Sequence, residues 1–285
     1  MSEGLHAIAF QGMDGANSHM ACRAVHPEMT PLACTSFEDA FAAVAEGAAK
    51  LAMIPIDNSV AGRVADIHHL LPDSGLHIVG EHFQRVEHTL LAIRGAAEDQ
   101  LTHVHSHVHA LNQCRNMIRE LGVGPVVHAD TAGAAHDIAA AGDPTQGAIA
   151  SELAAEIYGL EILRENVEDA EHNTTRFLIM SPDEVTASPD EEAVVTSFVF
   201  NVRNVPAALY KALGGFATNN VNMTKLESYM IGGGFSATRF YAEVDGHPDH
   251  RGLKFALEEL EFFSHEVKIL GVFPASPARK ELNGD

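Results

Sequence analysis

The sequence predicts an α/β chain in two parts: a two-lobed body built on mostly parallel sheet, then a smaller βαββαβ domain. Three observations predict this. From His6 to about Met180, short apolar strands alternate with amphipathic helices. The run 181–193, Ser-Pro-Asp-Glu-Val-Thr-Ala-Ser-Pro-Asp-Glu-Glu-Ala, is acidic and proline-bearing, as a linker is. Beyond it the periodicities read strand, helix, strand, strand, helix, strand.

Ala7 to Gln11 reads as the first strand, Ser18 to Val25 as a helix and Leu32 to Thr35 as the next strand. Ser36 with Asp39 three residues on is a capping-box variant; Phe37, Ala40, Phe41 and Val44 share one helical face, and Gly47 sits where a C′ glycine would. Leu51 to Ile56 is an apolar strand that ends at Asp57-Asn58-Ser59. Leu76 to Ile93 holds two strand-like runs and is the expected crossing into the second lobe. There His103 to His105, Pro125 to Ala129 and Gly147 to Ser151 read as strands, while Ser106 to Leu121, Ala132 to Ala141 and Glu152 to Tyr158 read as helices. Thr175 to Met180 returns to the first lobe, giving a body with a cleft at the crossover, as in periplasmic-binding-protein-like folds.

After the linker come a strand at Val194 to Val202, a helix at Pro206 to Phe216, strands at Val221 to Tyr229 and Phe235 to Val244, a helix at His250 to Phe262 and a strand at Val267 to Phe273. Leu209, Ala212, Leu213 and Phe216 form one buried helical stripe, and Leu253, Ala256, Leu257 and Leu260 the other. This is the ferredoxin-like order. The expected boundaries are 5–181 for the body (lobe 1 about 5–81 and 174–181, lobe 2 about 82–173), 182–193 for the linker, 194–275 for the second domain and 276–285 for a frayed tail.

At 285 residues and 46% hydrophobic content the chain can bury sizeable cores. A formal charge of -21 argues against general binding to nucleic acid or anionic membrane, both of which need a basic face. Met1 to His6 lacks the basic-then-apolar pattern of a leader and no apolar run reaches spanning length, so the expected location is the cytoplasm. Cys22, Cys34 and Cys114 are odd in number and far apart, which suggests reduced thiols.

Thr175-Arg176-Phe177, reached through Asn173-Thr174, sets a hydroxyl and a guanidinium together at the start of a strand. That pairing suits a small carboxylated substrate that gains or loses a proton, although a strand threonine beside a surface-paired arginine has the same sequence. Gly12 and Gly15 lie between a strand and a helix near Asn17 and Ser18, where backbone N–H groups can hold a carboxylate, or where glycine is needed only for steric reasons. Asp57-Asn58-Ser59 either projects polar groups into a cleft or forms an Asx-turn. Thr131 opens a helix at another possible anion corner. His103, His105, His107 and His109 would share one face if a single strand held them all, as a metal site requires; the expected alternative ends the strand near His105, with Ser106 capping a helix and the imidazoles diverging.

Taken with Ile8 to Gly12, Ile54 to Ser59 and His105-Ser106-His107 leading to Gln113-Cys114, the order of these segments resembles the prephenate dehydratase family over nearly the whole chain. The resemblance implies decarboxylating dehydration of prephenate to phenylpyruvate, with no metal or organic cofactor. It implies catalytic roles for Thr175, Ser106, Asn58 and Gln113, and substrate binding by Arg176, Asp57, Ser18, Thr131 and Phe177. It also implies a C-terminal ACT domain that binds L-phenylalanine through Ala207, Ala208, Leu209, Glu227 and Ser228, in a homodimer or homotetramer. The chain departs from the family pattern at Asn17 (usually tyrosine), Asp57 (glutamate), Val108 and His109 (Pro-Gln), Ala207 (glycine) and Tyr229-Met230 (Arg-Pro). Arogenate, which carries an amino group where prephenate has a keto group, is an alternative substrate, and a noncatalytic small-ligand sensor is an alternative from another class.

Overall fold

The computed structural model describes residues 6–64, 67–170, 172–203, 205–230 and 237–283. In chain order the first elements are β1 (Ala7–Gln11), α1 (Asn17–Val25), β2 (Thr30–Cys34), α2 (Phe37–Ala45), β3 (Leu51–Asn58), β4 (Gly62–Arg63) and α3 (Ile67–Leu70). They are followed by β5 (His77–Arg85), β6 (Thr89–Ala92), β7 (His103–His107), α4 (Val108–Gln113), α5 (Arg115–Leu121), β8 (Gly124–His128) and α6 (Thr131–Ala141). Next are β9 (Gln146–Ala150), α7 (Glu152–Tyr158), β10 (Glu161–Arg164) and β11 (Thr174–Ser181). The chain closes with β12 (Val194–Val202), α8 (Ala208–Thr218), β13 (Met223–Met230), β14 (Ala237–Asp245), α9 (Arg251–Phe263), β15 (Ser264–Pro274) and α10 (Ala278–Asn283).

A six-stranded sheet has the order β2-β1-β3-β11-β5 with β4 paired to β3, and a five-stranded sheet the order β10-β6-β9-β7-β8. β1 pairs in parallel with both β2 and β3, and β7 with both β8 and β9. This is the parallel core that the alternation of strands and helices predicts, and only β6 and β10 add antiparallel pairs to the second sheet. Within that sheet's body, Leu90, Val104, Leu111, Cys114, Met117 and Ile149 pack into one apolar cluster, and Leu91, Ala135, Ile138, Ala148 and Ala154 into another. The alanines let α6 lie close to β9, because they bury little side chain between the backbones.

Local chemistry explains several boundaries. Ser36 Oγ accepts from Asp39 N at 3.1 Å while Asp39 Oδ2 accepts from Ser36 N at 3.2 Å, completing the capping box, and Gly47 follows α2 with φ of +78°. The histidine run departs from expectation, since β7 continues through His107, which is itself the N-cap of α4. Ser106 lies inside the strand with its side chain in the core, so it caps no helix. The single helix expected up to Leu121 is broken at Cys114, whose φ of -122° and ψ of 29° are not helical. β10 has no counterpart in the sequence reading, being a four-residue strand with polar ends and a register shift against β6.

By compactness the chain divides into two units, Met1–Val64 with His82–Phe177, and Ala65–Glu81 with Leu178–Asp285. In the second unit the four-stranded antiparallel sheet has the order β13-β14-β12-β15, the ferredoxin-like arrangement. α8 and α9 cover it through Ala212, Phe216, Leu253, Ala256, Leu257 and Leu260, the two stripes read from the sequence. The expected start of β14 at Phe235 lies outside the described residues. Within the same unit, the His68 ring meets the Tyr241 ring at 5.2 Å, Lys268 Nζ donates to the Pro72 carbonyl, and a Cβ at Gly271 would collide with the Ile78 carbonyl oxygen. The C-terminal residues expected to fray carry α10 instead. Its Arg279 donates to Glu81 Oε1 at 2.6 Å, to Glu81 Oε2 at 2.9 Å and to Glu243 Oε2 at 3.1 Å.

Candidate functional site

β3 ends at Asn58, β11 begins at Thr174, and the side chains at these two strand ends meet. Asn58 Oδ1 accepts from the backbone N–H groups of Val60 at 3.0 Å and Ala61 at 2.7 Å, the Asx-type turn that the sequence allowed. Its Nδ2 then faces the other way, donating to Asn173 Oδ1 at 2.8 Å and to Thr175 Oγ1 at 2.9 Å. The turn and the contacts with Asn173 and Thr175 are therefore made by one and the same asparagine. Ser59 holds the ends together, with Oγ donating to the His172 carbonyl at 2.7 Å and accepting from Thr174 N at 2.9 Å.

Asn173 continues the line, donating from Nδ2 to Gln113 Oε1 at 2.8 Å at the end of α4. His88 Nε2 lies 2.9 Å from that same oxygen. Burial holds the His88 imidazole below the usual histidine pKa, opposed by its Gln113 bond and by the charge of Glu168, whose Oε2 accepts from His88 N at 2.9 Å. Gln113 is fixed from behind, since Asp169 N donates to its carbonyl at 2.6 Å and Asp169 also caps α5 through Arg115 N and Asn116 N. Thus Asn58, Gln113 and Thr175 are brought into one cluster. Asn173 and His88 join it, and sequence reading had assigned neither a role.

Arg176 is buried at 8% exposure, its Nη1 4.0 Å from Asp57 Oδ2 and its guanidinium carbon 5.9 Å from the centre of the Phe83 ring. A guanidinium and a carboxylate so placed offset part of each other's charge. Phe177, next on the strand, is fully buried and packs as core. Ser106 is fully buried too, and its hydroxyl donates to the Ile149 carbonyl at 2.6 Å, a bond that belongs to the β7–β9 sheet.

At the first glycine corner, Gly15 has φ of +90° and a Cβ there would stand 2.8 Å from Ala154 Cα, so close packing onto α7 explains the glycine. The Gly15 carbonyl accepts from Ser151 Oγ, and its N–H, the group that would face an anion, already donates to His19 Nδ1 at 3.1 Å. Ser18 lies half-buried on α1, one residue inside the helix start. Thr131 opens α6 behind Asp130, which caps Gly133 N at 2.6 Å. That aspartate sets a negative charge at the second proposed anion corner.

Among the described residues no group of three or more His, Cys, Asp or Glu is arranged to hold a metal ion. His103, His105 and His107 do alternate on the outer face of β7, but His105 Nε2 is 2.9 Å from Gln146 Oε1 and His107 turns to cap α4. The Cys22 thiol is pushed up to about 12 by burial, and burial raises Cys34 and Cys114 as well, so none of the three is a ready nucleophile. A cavity of about 610 Å³ in the second unit, lined by residues including Asn222, Thr224, Asp245 and Arg279, contains no residue of these motifs.

At the proposed effector motif, Ala207 is the N-cap of α8 with φ of +63°, a left-handed conformation that glycine adopts without strain. Ala208 and Leu209 open that helix half-buried, while Glu227 and Ser228 lie on β13. Tyr229 is buried against His69 and His68, and burial pushes its hydroxyl up to about 12.

Residues 8–185 match the family model for prephenate dehydratase. The chain is 55% identical over 278 residues, 98% of its length, to a bifunctional N-acyl-homoserine lactone acylase/prephenate dehydratase of Komagataeibacter europaeus, and covers 99% of that protein. It is 35% identical over 286 residues, 95% of its length, to arogenate dehydratase/prephenate dehydratase 1 of Arabidopsis thaliana, covering 73% of that protein. Among solved structures, the prephenate dehydratase of Arthrobacter aurescens in complex with L-Phe superposes with a TM-score of 0.85 at 28% identity, over 94% of this chain and 90% of that one. Matched along most of its length by the dehydratase model and by these relatives, the chain belongs to the prephenate dehydratase family.

Proposed function

We propose that the protein converts prephenate to phenylpyruvate, water and carbon dioxide in L-phenylalanine biosynthesis, with Thr175 as hydrogen-bond donor to the departing hydroxyl. The observation that carries this reading is the Asn58 to Thr175 bond. Because Asn58 Nδ2 donates to Thr175 Oγ1, the threonine's own proton points elsewhere and is available to a leaving oxygen. Loss of the ring carboxylate as carbon dioxide leaves an electron pair that closes the aromatic ring and expels the 4-hydroxyl, which takes up one proton to leave as water. The reaction runs strongly downhill, so the protein has to assist departure and hold geometry. Arg176, tempered by Asp57, is the group we assign to a substrate carboxylate, and the amide nitrogen of Gln113 offers a second donor. No metal or organic cofactor enters this scheme.

The same proposal covers regulation. L-phenylalanine binds the ACT domain, 194–275, near Ala207 to Leu209 and Glu227-Ser228, and lowers activity; the L-Phe complex of the Arthrobacter relative supports this. Exposed Leu226 and Met230 on the edge strand β13 favour a homo-oligomer. No helix among the described residues is long and apolar enough to cross a membrane, in keeping with a cytoplasmic biosynthetic enzyme. The test is parallel steady-state kinetics on prephenate and arogenate, following the arylpyruvate or phenylalanine formed. A higher kcat/KM for prephenate is expected, and activity confined to arogenate would overturn the substrate assignment.

A second reading rests on the Komagataeibacter relative, whose name includes cleavage of N-acyl-homoserine lactones and which is 55% identical across nearly the whole chain. Release of free homoserine lactone from an N-acyl substrate, read by mass spectrometry, decides whether this chain shares that activity.

A further inference from the structure

We propose that His88 and Asn173 are positioning residues that, through Gln113, hold the Asn58 amide in line with Thr175, whose hydroxyl hydrogen is thereby kept free to donate outward. This rests on the dehydratase reading for its purpose, but the direction of the line follows from the protein alone. Its fixed end is backbone. Val60 N and Ala61 N can only donate, so the Asn58 atom that meets both must be the oxygen, and its amide nitrogen must face Asn173 and Thr175. The Asn173 atom meeting that nitrogen must accept, so Asn173 presents its own nitrogen to Gln113, which in turn presents Oε1. An oxygen that only accepts then faces His88 Nε2, so this nitrogen carries the proton.

Each member therefore has one permitted orientation, and the last consequence is at Thr175, whose oxygen is occupied as acceptor and whose hydrogen is turned away from Asn58. His88 is 3% exposed and Asn173 1%, so water does not readily substitute for either, and a missing donor leaves a buried amide to flip. A flip of Gln113 or Asn173 sets like atoms against one another, and since the backbone keeps Asn58 from turning with them, the mismatch falls on its Nδ2 and pulls that amide out of line with Thr175. Depression of the His88 pKa by burial supports the neutral ring on which a single Nε2–H tautomer depends.

The test has two arms on the full-length protein. Long-range proton–nitrogen NMR of histidine-labelled wild type should show the His88 ring as the neutral Nε2–H tautomer at pH 7, and an Nδ1–H tautomer would overturn the line directly. In the kinetic arm, His88→Leu should lower kcat on prephenate by about tenfold or more with KM little changed. His88→Gln, which restores an N–H donor near the position of Nε2, should recover much of the loss, and equal melting temperatures separate this from unfolding. Unaltered kcat in folded His88→Leu would overturn the positioning role. Wild type inactive on prephenate would overturn the dehydratase reading and the purpose of the line, while the tautomer would still decide whether the line exists.

Discussion

Arg279 offers the sharpest test of how the C-terminal helix is held. The Glu81 side chain is 0% exposed, that of Glu243 1% and that of Arg279 15%, so one guanidinium neutralises two carboxylates away from water. Glu81 also accepts from Ser276 N at 2.9 Å, and Glu243 from the Tyr241 hydroxyl. Arg279→Met keeps the apolar stem and removes the charge. Arg279 Nη2 touches one oxygen of each carboxylate, at 2.9 and 3.1 Å, so those oxygens are no more than about 6 Å apart. At an effective dielectric of about 20, two charges at that separation repel by roughly 3 kcal/mol, and losing the pairing itself costs a similar amount. Relaxation and water entry offset part of that sum, and breaking a buried ion pair costs about 3–5 kcal/mol, or about 6–20 °C in melting temperature for a chain of this size. Circular dichroism melts measure it. Glu81→Gln in the same background removes one of the two facing charges and should restore part of the deficit. A variant melting within two degrees of wild type would refute the reasoning and leave α10 as a loosely attached end.

Other expectations follow from single groups. Burial lowers the pKa of His19, His88 and His107, so the unfolded chain binds more protons below about pH 6.5 than the folded one. Their contribution to stability is therefore complete above that pH and falls on acidification; a urea midpoint that is higher at pH 5.5 than at pH 7.5 would contradict it. Ala207→Gly relieves a left-handed alanine worth about 1–2 kcal/mol and returns roughly 0.5–1 kcal/mol of that to unfolded-chain entropy. A net gain of about 0.5–1 kcal/mol should raise the urea midpoint, and a lower midpoint would show that the alanine methyl packs favourably. Arg176→Lys should raise KM more than it lowers kcat, because an ammonium cannot grip a carboxylate through two parallel bonds; kcat/KM equal to wild type would make Arg176 structural.

The parts of the fold that the sequence made legible are those decided by local periodicity. The buried faces of α8 and α9, the Ser36 capping box and the apolar strand Val194–Val202 all depend on residues a few positions apart. The site was legible where a strand end carries a distinctive polar group, as at Asn58 and Thr175. It was illegible where partners are distant: Asn58 and Asn173 are 115 residues apart, Asn173 and Gln113 60, and Gln113 and His88 25. One asparagine before Thr174 and one histidine before a buried strand carry no periodic signal, and only folding turns them into a hydrogen-bonded line. Ser106 misled in the opposite sense, because a serine between a strand and a helix reads as a cap, whereas the strand runs on and buries it. The tail looked frayed because its anchoring contacts lie with Glu81 and Glu243, 198 and 36 residues from Arg279.

The central claim is that Thr175, turned by Asn58, assists departure of the hydroxyl from prephenate, and single-turnover and steady-state kinetics of Thr175→Ala against wild type test it most directly. A positioned donor of this kind contributes about 10²–10⁴-fold, so kcat should fall by that order with KM close to wild type, and Thr175→Ser should recover part of the rate. A folded alanine variant that releases phenylpyruvate at nearly the wild-type rate would contradict the account.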